Sequence, residues 1–108
     1  MKKNLEKSSG NVFADLGLPN SEQELLKAKL TVQIYRLIKE RKLTQSRAAE
    51  LLGTTQAQVS ALMRCRPVSV SVGRLMEFLV ILGQDIQVTV KPASARMPGH
   101  MSVVVQPA

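Results

Sequence analysis

The sequence predicts an all-α domain: a bundle of four to five short helices built around a helix-turn-helix, with a β-strand after the last helix. Three observations predict it. Apolar residues recur at helical spacing through residues 21–82. Capping residues and a glycine divide residues 44–64 into two short helices. The period then changes to strict alternation over residues 85–91.

Residues 1–11 (MKKNLEKSSGN) are polar and basic and read as a flexible tail, or as an arm able to reach an anionic partner. Residues 12–18 are more apolar. A short helical turn is expected there, ended by Gly17 and Pro19. Its side chains either pack on the domain or dock on a partner.

Residues 21–42 read as a long helix. Ser21 and Glu24 form a capping box, and Leu26, Leu30, Ile34, Leu37 and Ile38 make a core face. Lys39, Arg41 and Lys42 cluster at its end. The helix dipole favours cations there.

Residues 44–64 carry the central element. Thr44 is an N-cap, and Ala48, Ala49 and Leu52 face the core. Gly53 stops that helix, because glycine enters the left-handed region without steric cost. Thr55 caps the next helix, and Gln58 completes a T-x-x-Q capping box. Val59, Leu62 and Met63 face inward. Small Ala49 permits two steeply crossing helices to approach closely. The second helix then has the form that enters a DNA major groove. A helical hairpin inside an ordinary bundle is the plainer alternative.

Pro67 holds residues 64–70 extended, with Arg64 and Arg66 as phosphate-contact candidates. Ser71 caps a final helix running to Leu82 and closed by Gly83. Its stripe is Val72, Leu75, Met76, Leu79 and Leu82. Ile86, Val88 and Val90 then alternate with Gln87, Thr89 and Lys91, which predicts a half-buried strand ended by Pro92. A second strand over residues 102–106 is the companion expectation. An exposed edge of this kind invites pairing with a symmetry mate or a partner's sheet. The organisation is therefore a tail (1–11), a DNA-binding domain (12–83) and a C-terminal arm (84–108).

Composition supports a nucleic-acid partner. The chain has 108 residues, a formal net charge of +7 and pI near 10.1, which suits a polyanion. Three aromatics, Tyr35, Phe13 and Phe78, are too few for a platform that stacks single-stranded bases. No apolar run approaches the length that spans a bilayer, and no signal-peptide core follows the basic start. Cys65, the single cysteine, excludes an intramolecular disulfide, fits a reducing cytoplasm and reads as a small buried thiol. With one histidine, His100, and no paired acids or phosphate loop, neither catalytic nor metal-binding residues are expected, and no cofactor.

Three stretches carry a resemblance: NVFADLGLP (11–19), LTQSRAAELLGTTQAQVS (43–60) and GRLMEFLVILGQDIQVTVKP (73–92). The chain resembles the Xre (Cro/CI-type) helix-turn-helix family, and within it the HigA-like antitoxins of HigBA-type toxin–antitoxin operons. The resemblance implies a Cro/CI-like fold and a homodimer that represses its own operon through palindromic half-sites. It also implies a RelE-like toxin as partner. A stand-alone phage-type repressor shares the architecture. The chain departs from the family at Cys65, where glycine is common.

The resemblance also places candidate DNA contacts. Gln56 and Ala57 hold base-reading positions: glutamine can bond adenine N6 and N7, and an alanine methyl can pack on a thymine methyl. Gln45 and Thr55 match positions that bond phosphates. Ser60, Ala61 and Arg64 continue the exposed side of the second helix. Arg47, Arg64 and Arg66 add charge. Gln58 either reads a base or completes the capping box.

Overall fold

The computed structural model describes residues 20–65, 69–94 and 99–106. Among them are four helices: α1 (Asn20–Glu40), α2 (Gln45–Leu52), α3 (Gln56–Met63) and α4 (Val72–Ile81). The helical turn expected over residues 12–18 lies outside the described residues.

α1 follows its apolar spacing. Leu26, Leu30, Ile34 and Ile38 are all buried, on one face. Thr31 is buried too, because its hydroxyl donates to the Lys27 carbonyl at 2.7 Å and so needs no partner outside the helix. The helix begins at Asn20, one residue ahead of the expected start. At the other end Lys42 turns left-handed with φ 56°, and the Leu43 N–H closes on the Ile38 carbonyl at 3.1 Å.

α2 and α3 have eight residues each, too few to hold alone. Caps and packing hold them. Thr44 accepts from the Arg47 N–H and Thr55 from the Gln58 N–H, each at 3.1 Å. Gly53 adopts φ 68°, and the Thr54 N–H closes on Ala49. The Thr55 box is half realised. The Thr55 side chain caps as expected, but the Gln58 Oε1 accepts from the Thr54 hydroxyl.

α4 carries Ser71 as N-cap, accepting from the Arg74 N–H at 3.2 Å, and ends where Gly83 reaches φ 91°. α1 lies along α4, and α2 crosses α3. Phe78, Ile34, Ile38, Leu52, Leu62 and Leu75 fill the space between them. Each such side chain contributes about 1.5–3 kcal/mol on burial. Phe78, fully buried, and Val70, nearly so, extend the core beyond the stripes legible from spacing. A guanidinium N–H of Arg41 donates to the Leu82 carbonyl, tying the end of α1 to the end of α4.

Two expectations are corrected. Among the described residues there is no strand. Residues 84–94 have no regular secondary structure and are exposed, and residues 99–106 run back along α1. Met101 N–H donates to Glu22 Oε1 at 3.1 Å, His100 Nδ1 meets Glu22 Oε2, and Val103 packs on the core. The alternation of residues 86–90 is real, but a strand needs a second edge to bond. Within one chain residues 102–106 lie against a helix and do not supply that edge. The second correction is Cys65, which is exposed rather than buried and has φ 56°. The chain turns there after α3, which points the thiol outward.

Candidate nucleic-acid interface

The candidate surface is built by α2, α3 and the turn between them. Val59 and Leu62 anchor α3 in the core. Because they fix its inward side, the opposite side is set. Gln56 and Ala57 are exposed at its first turn. Ala57, Ser60, Ala61 and Arg64 follow at spacings of three and four and so share one stripe, exposed at Ala57 and Arg64 and half-buried at Ser60 and Ala61. A helix so presented has the size and form that a major groove accepts.

The polar side chains differ in how free they are. Gln56 and Gln45 are exposed and make no side-chain hydrogen bond among the described residues. Gln58 is half-buried and held by the Thr54 hydroxyl. Arg64 Nη2 donates to Ser60 Oγ at 2.8 Å, one turn back on the same helix. Arg47 pairs with Glu50 at 2.8 Å, with both side chains more than two-thirds exposed. Such a surface pair is worth under about 1 kcal/mol, so Arg47 is readily released to a phosphate. Thr55 is exposed and caps α3, the end of a helix that suits an anion. Arg66 lies outside the described residues.

The basic end of α1 divides as well. Lys39 sits over the Tyr35 ring at 5.9 Å, and Lys42 is exposed. Arg41 is committed to the Leu82 carbonyl. Sequence reasoning passed over Arg74, which reaches from α4 to the turn of the helix pair. Its partners are 21 and 22 residues away, so no local spacing reveals them.

Residues 12–91 match a family model described as a helix-turn-helix domain. A solved structure described as a candidate XRE family transcriptional regulator is 34% identical, with a TM-score of 0.73. The match covers 82% of this chain and 100% of that one. The chain belongs to the XRE-type helix-turn-helix family. A search of curated proteins found no match. As a member of this family the chain is a DNA-binding transcriptional regulator. No helix among the described residues is long and apolar enough to cross a membrane.

Proposed function

We propose that this XRE-type regulator is the antitoxin of a HigBA-type toxin–antitoxin pair. It binds its own operator as a cytoplasmic homodimer and neutralises a RelE-like toxin. The observation that carries the reading is the resemblance of the stretches flanking the helix-turn-helix, 11–19 and 73–92, to HigA-like antitoxins. An exposed apolar surface on the second stretch agrees with it. Val80 and Ile81 on α4 flank an open groove of about 320 Å³ that Ile86 completes, and Val88 and Val90 of the following arm are exposed. The arm joins the groove at Ile86, so a second copy related by a two-fold axis would meet like with like. A second copy's arm would also supply the edge that residues 86–90 lack.

Within the operator complex, Gln56 and Ala57 read base edges, and Ser60 and Ala61 line the groove beside them. Gln45, Thr55, Arg47, Arg64 and Arg66 contact phosphates. Gln58 chiefly holds the turn, because its Oε1 already accepts from Thr54. Two recognition helices of a dimer would meet half-sites spaced about 34 Å apart or a multiple of it. Catalysis, cofactor and metal have no part in this reading.

The test is co-expression with the neighbouring short basic open reading frame, followed by purification through a tag on this chain. Recovery of a small basic toxin in stoichiometric amount supports the antitoxin reading. A chain that shifts its own upstream DNA yet retains no such protein is a stand-alone phage-type repressor. A chain shortened after Gly83 tests the dimer face separately. If it stays dimeric in light scattering, the arm is not the main interface.

A further inference from the structure

We infer that Arg74 is a positioning residue for DNA reading: its guanidinium holds the turn between α2 and α3, and so sets the angle at which α3 meets the groove. This rests on the assignment of α3 as the recognition helix.

The last carbonyls of a helix have no partner within it. At the end of α2 those of Leu52 and Gly53 sit where the chain reverses into α3. Arg74 Nη2 donates to the Gly53 carbonyl at 3.0 Å and approaches the Leu52 carbonyl at 3.4 Å. The same guanidinium is fixed from two further sides. Nη1 bonds Glu77 Oε1 at 2.7 Å, one turn along α4. Its Cζ lies 4.8 Å from the centroid of the Phe78 ring, which is fully buried. The Arg74 main chain is pinned as well, its N–H donating to Ser71 Oγ at 3.2 Å. A side chain held at two points to α4 and at its tip to the turn is a strut. It connects the rigid α1–α4 layer to the element that reads DNA.

The geometry matters because α3 is short. Over a helix about 12 Å long, a tilt of about 10° displaces the far end by about 2 Å, more than a hydrogen bond tolerates. Specific contacts at Gln56 and Ala57 therefore depend on a fixed turn, whereas phosphate attraction at longer range does not. The Arg74 donors reach two main-chain carbonyls of the turn as well as a carboxylate, whereas the Arg47 guanidinium pairs with Glu50 of its own helix. Lysine cannot replace this fork, because it carries one compact charge and no planar face.

The experiment compares Arg74→Ala and Arg74→Lys with the wild-type chain, all shown folded by circular dichroism at the working temperature. Affinities are measured for the operator and for a shuffled duplex across a salt series. Both variants are expected to lose about tenfold in operator-to-shuffled preference, the discrimination of about one base contact. Their salt slopes should match the wild type. Amide resonances of Gly53 and Thr54 should shift in both variants. An Arg74→Lys variant with full preference would overturn the proposal, since charge alone would then suffice. A salt slope lowered by about one, with equal loss on both duplexes, would make Arg74 a phosphate contact and overturn it too. Folded variants with unchanged preference and unshifted turn resonances would remove the strut altogether. If the wild-type chain itself shows no preference, the DNA assignment fails, and the Gly53 and Thr54 resonances still decide whether Arg74 holds the turn.

Discussion

Replacing Cys65 with glycine should stabilise the fold. Cys65 follows α3 with φ 56°, in the left-handed region. A residue with a Cβ pays about 1–2 kcal/mol to stay there, and glycine does not. The thiol is exposed, so its removal uncovers little apolar surface. Glycine also loosens the unfolded chain, which returns about 0.5–1 kcal/mol of the gain. The net expectation for Cys65→Gly is about 0.5–1 kcal/mol of added stability. For a domain of this size that raises Tm by roughly 2–8 °C. Urea unfolding under reducing conditions measures it, with the midpoint rising and the slope unchanged. Cys65→Ala is the control, because it removes the thiol but keeps the Cβ, and it should gain nothing. A Cys65→Gly chain no more stable than Cys65→Ala would refute the reasoning, since the backbone at residue 65 would then carry no strain.

The mirror case is Gly53, with φ 68° and nothing nearer to an added Cβ than the Arg74 Nη2 at 4.0 Å. Gly53→Ala should therefore cost about 1–2 kcal/mol through backbone strain alone, read by the same urea unfolding. Arg47→Ala breaks only an exposed pair with Glu50, so unfolding should move by under about 1 kcal/mol. Its operator affinity should fall alike on all sequences, with the salt slope reduced by about one, as fluorescence anisotropy across a salt series would read. Gln56→Ala should leave stability unchanged and lose about 1–3 kcal/mol of discrimination at one base pair, scored by binding to single-base operator variants. Unaltered discrimination would displace Gln56 from the groove.

How much of this was legible in the sequence follows from the range of the forces involved. Caps act within one turn, so Thr44, Gly53, Thr55, Ser71 and Gly83 could be placed from sequence alone. The helical period likewise gave the buried faces of Leu26, Leu30, Ile34 and Ile38. Phe78 escaped because α4 is covered over more than a stripe: α1 lies against it and Arg74 covers the ring. Thr31 escaped because its hydroxyl is satisfied within its own helix, which composition does not reveal. The alternation of residues 86–90 reports two unlike faces, not the presence of a second edge, and so the strand expectation overreached. In the candidate interface, exposure of Gln56, Ala57 and Arg64 followed from the buried Val59 and Leu62, with Ser60 and Ala61 half-buried between them. The roles of Arg41 and Arg74 did not, because their carbonyl partners lie 41, 22 and 21 residues away. The left-handed turn at Cys65 has a family signal, since glycine is common there, but only the backbone angle gave it a physical cause.

The central claim is that α3 reads DNA sequence. Titrating the full chain against the duplex upstream of its own gene, beside a shuffled duplex of equal length, tests it most directly. At physiological salt the expected preference for the native duplex is at least about 10³-fold, falling steeply in absolute affinity as salt rises. Equal affinity for the two duplexes would contradict the account.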